Sequence, residues 1–160
     1  MTQLIYGQDQ AVSLWVAKRL PHIQIDSVEK CVAIGISSDD GEEMFAGAVY
    51  YNYKETDIEM SFASDNPKCT TARNIGAVLA YPFVQLGVQR ITSVVMKSNK
   101  RMRRLLEGIG FVNEGTVRHA FKGKNGNPIN GILYGMVHAE SEKWLRRLED
   151  GKRIQSTKAA

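Results

Sequence analysis

Cysteine is scarce in this 160-residue chain: Cys31 and Cys69 are the only two, and they form no Cys-x-x-Cys pair. That excludes a disulfide-stapled scaffold and a zinc ribbon, and three scattered histidines do not complete a ligand set, so no metal site is expected. Both thiols are expected to be buried. No run approaches the roughly 18 apolar residues that span a bilayer. Nor does a basic flank followed by an apolar stretch open the chain, so neither a membrane partner nor a secretory leader is expected. No internal repeat is present. The expectation is a soluble cytosolic protein, monomer or homodimer.

What is there suits one globular core: 43% hydrophobic and 24% charged residues, with a net charge of +4. A single domain is expected over residues 1–150, with a basic tail at 151–160 that frays. The positive charge gathers at 97–104 and 143–158. Such runs are commonly solvated faces, and either could also meet phosphates.

Periodicity outlines the elements. Asp9 is a candidate N-cap for a helix to about Leu20, with Val12, Trp15, Val16 and Leu20 on one stripe and Pro21 ending it. Residues 31–38 and 44–53 read as strands joined by an Asp-Gly hairpin turn. Residues 57–63 alternate, with Ile58, Met60 and Phe62 on one face and Asp57, Glu59 and Ser61 on a polar one. A helix is expected from about Lys68 or Thr70 to Leu86, kinked by Pro82 and ended by Gly87. Residues 90–97 read as a buried strand. From Asn99 the spacing of Met102, Leu105, Leu106 and Ile109 is helical, and Gly110 stops that helix. Two more strands, 111–121 and 129–137, flank a turn-rich hairpin at 122–128, and a short amphipathic helix follows at 140–149.

The pattern Asn99-x-x-Met102-x-x-Leu105-x-x-x-x-Gly110-Phe111 resembles the C-terminal motif of the GNAT family of N-acetyltransferases. The resemblance extends upstream through residues 79–83 and 85–90, and downstream through Glu114-Gly115, Arg118 and residues 132–136. It covers roughly residues 8–138 and is nearest to short phage and bacterial members, close to those that acetylate protein N-termini. The fold it implies is α/β (α+β): a mixed, mostly antiparallel twisted sheet of about six or seven strands, flanked by about four helices. A V-shaped gap between the strands at 57–63 and 90–97 would accept coenzyme A.

The resemblance also implies the site. Amides near Phe62 and Ala63 would pair with the pantetheine arm of acetyl-CoA. The pyrophosphate would lie on the next loop, where the family's Gln/Arg-x-x-Gly-x-Gly/Ala has no clean copy. Asn66-Pro-Lys-Cys-Thr-Thr71 is the preferred register, giving Lys68, Cys69, Thr70, Thr71 and Ala72, and residues 71–76 are the other. Asn99 would cap its helix or bond the cofactor arm, while Lys97, Lys100, Arg101 and Arg103 would attract the phosphates. Glu59 is the candidate general base, with Asp57 weaker and Glu55 too near the turn. The tyrosine that often serves as general acid is replaced by Leu106, leaving His119 and Tyr134 as positional substitutes. The implied reaction transfers an acetyl group to a primary amine of a protein, peptide or small molecule. Two alternatives use the same fold: a nucleic-acid-directed protein of phage type, and one that binds coenzyme A or a partner without catalysis.

Overall fold

The computed structural model describes residues 1–20 and 31–159. Its strands are β1 (Thr2–Ile5), β2 (Val32–Ser38), β3 (Met44–Tyr51), β4 (Asp57–Ser64), β5 (Arg90–Met96), β6 (Val112–Lys122) and β7 (Pro128–Val137). They form one sheet in the order β1-β2-β3-β4-β5-β7-β6. Every neighbouring pair is antiparallel except β4 and β5. The helices are α1 (Asp9–Arg19), α2 (Ala72–Ala80), α3 (Lys100–Ile109) and α4 (His138–Ala159). The mixed, mostly antiparallel architecture is the one expected from the sequence.

The two faces of the sheet bury different partners. Val12 and Val16 of α1 pack on Ala33, Val49 and Ala63, and Gly47 permits the approach: a Cβ there would sit 2.7 Å from Val16 Cγ2. On the other face Ile34, Ile36, Tyr50, Ile91 and Met136 form the larger core, with Leu79 of α2 and Leu106 of α3. Each such buried side chain contributes about 1.5–3 kcal/mol. Because β4 alternates, Ile58 and Met60 enter this core, while Ser61 and Ala63 are buried on the α1 side. The expected polar face of β4 is therefore partly covered rather than solvated.

Several expectations are corrected. β1 was not anticipated, since four residues are too few to establish a period. Gln8, not Asp9, occupies the N-cap of α1, and the Asp9 carboxylate instead accepts from the Ala33 amide at 2.9 Å. Pro21 lies outside the described residues. The long helix starts at Ala72, after a 3₁₀ turn at Pro67–Cys69, and at Pro82 its α-helical part gives way to a π-helical turn, Tyr81–Leu86. Proline supplies no amide to the ladder and its ring crowds the preceding turn, which the wider turn accommodates. Gly87 ends it at φ 70°. The last helix does not stop near Glu149 but continues through residues 151–159, all exposed. Its Lys, Arg, Gln and Ala residues favour helix, and the single Gly151 costs only about 1 kcal/mol.

Candidate active site

β4 and β5 share only three rungs, Asp57↔Arg90, Ile58↔Ile91 and Glu59↔Thr92. Beyond them β4 stays with β3 as far as Ser64, and β5 stays with β7 as far as Met96, so their facing edges lose their ladder partners. Backbone groups on those edges need other hydrogen-bonding partners. A groove opens there. Ser61, Ser93 and Val94 line its base, and Phe62, Asn99 and Met102 its middle. Ala63, Thr70 and Arg101 line the stretch toward the mouth.

Two helix starts flank the groove. Thr71 is the N-cap of α2, its Oγ1 accepting from the Asn74 amide at 3.2 Å. In the preceding turn, Asn66 Oδ1 accepts from the Lys68 amide at 3.0 Å. The first helical amides, at Ala72 and Arg73, have no intrahelical acceptor, and with the helix dipole they suit an anion. Of the two registers weighed for the phosphate loop, residues 66–71 form the turn before α2, whereas residues 71–76 lie almost wholly inside the helix. Across the groove, Asn99 Oδ1 accepts from the Met102 amide at 3.2 Å, capping α3 as expected, and the same residue lines the groove.

The groove has a strap that sequence reasoning missed. Arg19, in the last turn of α1, donates to both carboxylate oxygens of Asp65 at 2.7–2.9 Å, stacks on Trp15 at 3.4 Å and donates to the Trp15 carbonyl. No local pattern links residues 46 apart. The Arg19 hydrogen bonds hold the Asp65 carboxyl below its usual range, and the charges of Arg19 and Arg101 add to this. A depressed carboxylate pKa gives stability that is present above the unfolded value and lost as pH falls through the folded one. The pair is half exposed, so its contribution is at most about 1 kcal/mol. The melting-temperature deficit of Asp65→Asn should accordingly be small at pH 7 and disappear only as pH falls through the carboxyl's lowered folded value; a constant deficit would assign the loss to packing.

Glu59 occupies the last shared rung, at the apex of the gap and on the α1 side of the sheet, where Tyr51 donates to or accepts from Ser61 at 2.7 Å. Asp57 is engaged: Thr92 Oγ1 donates to it at 2.7 Å, and Arg90 Nε donates to Thr92 at 3.0 Å. Arg90 also reaches across β7 to Glu114, with Nη2 to Oε1 at 2.7 Å. Gly135 leaves room for that pair, since a Cβ there would lie 2.6 Å from Arg90 Nη2.

Other expected residues are not gathered here. Tyr134 is wholly buried, its hydroxyl donating to Glu107 at 2.7 Å and accepting from Arg103 Nε at 3.3 Å. Burial and the Glu107 bond push its pKa up, away from proton donation. His119 is exposed on edge strand β6, in a hollow with Lys97, Lys100 and Arg103. The basic cluster thus splits across α3, and of the proposed cations there only Arg101 lines the groove. Cys69 is buried against Ser64, while Lys68 is exposed outside the groove lining. Leu106, at the position of the missing tyrosine, is core.

Comparisons with known proteins agree with this geometry. No family model matches the chain. It is 38% identical over 63 residues to the uncharacterized N-acetyltransferase YoaA of Bacillus subtilis, a match covering 39% of this chain and 35% of that one. The chain therefore spans about a third of the length of that curated relative. Spermidine N-acetyltransferase SpeG from Vibrio cholerae, solved as a variant, superposes with a TM-score of 0.67 at 16% identity, over 91% of this chain and 97% of that one. The ribosomal-protein-S5-alanine acetyltransferase from Vibrio fischeri gives 0.64 at 14% identity, over 85% and 91%. This chain has the GNAT fold. The GNAT gap is the one described above, and the helices on its two sides are α2 and α3. Arg19, Asp65, Ser61 and Ser93 add to the GNAT groove side chains that the sequence motifs did not mark.

Proposed function

We propose that the chain is an acetyl-CoA-dependent N-acetyltransferase that acts in the cytosol on a primary amine. The observation that carries this reading is the parting of β4 from β5 after Glu59↔Thr92, with a helix start on each side of the opening. The donor set fits the cofactor. The free edges of β4 and β5 match an amide-rich arm, and the α2 amides with Thr70 and Arg101 match a pyrophosphate. Asp65, the carboxylate nearby, is already neutralised by Arg19.

Acetyl-CoA supplies an activated acyl group when bound; the chain's own part is to place the amine and take its proton. Glu59 is the proposed base, since it stands at the apex of the gap on the side opposite α3. The leaving thiolate needs no dedicated acid, which accommodates Leu106. Neighbours whose names specify spermidine and a ribosomal-protein alanine support an amine acceptor, small or peptidic.

Thermal melting tests the cofactor. A ligand at a hundred times its dissociation constant stabilises the folded state by about 2.7 kcal/mol. That corresponds to a rise of roughly 5–10 °C for a chain of this size. Arg101→Ala should need several-fold more acetyl-CoA for the same rise, while Lys100→Ala should not. Absence of any shift at millimolar acetyl-CoA overturns the reading.

A further inference from the structure

A second groove lies on the far side of α2. Helices α2 and α4 approach closely at Gly76, where a Cβ would meet the Trp144 carbonyl at 2.9 Å and Leu148 Cβ at 3.0 Å. Past Leu148 they part. Gly151, Lys152 and Gln155 of α4 then face Ala77, Ala80 and Tyr81 across an open cleft that also reaches Tyr6 at the end of β1. Among the described residues, its lining holds three cations, Arg73, Arg147 and Lys152, and no carboxylate.

Two of its side chains are positioned for contact. Arg73 donates to the Thr2 carbonyl at 3.2 Å and its charge reaches the Tyr6 hydroxyl. Tyr81 rests against the buried Tyr50, ring centroids 4.9 Å apart, with its remaining surface toward the cleft. Tyr6 is 57% exposed and lines the cleft. Asp9, the carboxylate sensed by Tyr81, is already bonded to the Ala33 amide.

An exposed ring, Tyr6, and a half-buried one, Tyr81, beside three cations with no carboxylate in the lining are what a single nucleic-acid strand requires. Bases of any sequence stack on the rings, and phosphates meet the cations. An acidic peptide would use the cations but leave the rings idle, and an apolar partner would leave the cations unpaired. We propose that this cleft binds single-stranded nucleic acid, with Tyr6 and Tyr81 stacking bases and Arg73, Arg147 and Lys152 contacting the backbone. The inference does not rest on the acetyltransferase reading: Arg73 offers its backbone amide at the start of α2 to that site but its guanidinium to this cleft, and none of these side chains lines the β4–β5 groove.

Fluorescence anisotropy of a labelled twelve-nucleotide oligothymidylate tests it, using the whole chain. Arg147→Glu with Lys152→Glu should weaken binding at least tenfold. Each cation lost should also reduce the salt slope by about 0.7. Arg146→Glu with Arg153→Glu, an identical change of charge on exposed α4 residues outside the cleft lining, should change affinity less than threefold. Tyr6→Ala should cost about five- to tenfold for the oligonucleotide and nothing for heparin, which has no bases to stack. Melting curves verify that each variant is folded. Equal losses for the two arginine-containing pairs, an unaffected Tyr6→Ala, or tighter binding of poly-glutamate than of the oligonucleotide would each overturn the proposal.

Discussion

Glu59→Gln is expected to lower the turnover rate at saturating acetyl-CoA by about a hundredfold or more, the usual scale for losing a general base. Glutamine keeps the size of the side chain and can still hydrogen-bond, but it cannot take a proton. Because Glu59 sits on the rung where β4 and β5 are still paired, the exchange leaves the groove beyond it intact. Cofactor affinity should therefore hardly move, and the defect should fall on the rate rather than on acetyl-CoA binding. A cationic amine must shed its proton before attack, so the deficit should narrow as pH approaches the amine's own pKa. Steady-state rates against a polyamine or an N-terminal peptide, measured between pH 6 and 9, check this. An unchanged rate at pH 7 would return Glu59 to the status of a strand carboxylate, and proton removal would fall to water.

Leu106→Ala is expected to cost about 2–5 kcal/mol, the range for emptying a buried leucine site. Leu106 is 1% exposed and borders a small apolar void lined also by Met60, Phe62, Leu105 and Phe111. Truncation enlarges a space that the neighbours already fail to fill, so relaxation offers little relief. The melting temperature should drop by roughly 5–15 °C. Bound acetyl-CoA should recover part of that loss, because α3 also carries Asn99 and Arg101 into the groove. A drop of less than 2 °C would show that α3 is held mainly by Met102 and its cap.

These two residues illustrate what the sequence discloses. Leu106 belongs to a helical period closed by Gly110, and such local rules located α3, its cap at Asn99 and its stop. The alternation in β4 and the Asp-Gly turn did the same for the first hairpins. Where a residue's setting depends on a distant segment, the local rules are silent. The Arg19–Asp65 strap joins α1 to the loop after β4, and the Arg90–Glu114 pair bridges two strands over a glycine of a third. Lys97 to Arg103 read as one basic cluster along the chain, yet the helix turns Lys100 and Arg103 to one side and Arg101 to the other. Tyr134 and Glu59 lie on strands whose spans the sequence indicated, but the hydroxyl's neighbours, Glu107 and Arg103, were set by how α3 docks. The extent of α4 was misjudged because nothing in its distal half is buried, which leaves intrinsic propensity as the only guide.

The three rungs between β4 and β5 have a consequence for how the molecule comes apart. On one side of them lie β1 to β4, four strands joined through neighbouring antiparallel pairs; on the other, β5, β7 and β6. Rungs within each group join strands along most of their length, whereas the seam is short and parallel, and its two strands are separated in the chain by residues 65–89. Segments with few shared hydrogen bonds open as units of their own, at a free energy below that of global unfolding. The amides of residues 57–59 and 90–92 that cross the seam should thus exchange with solvent sooner than those of the β2–β3 ladder. A ligand lodged between the two groups would slow that exchange by acting as the missing rungs.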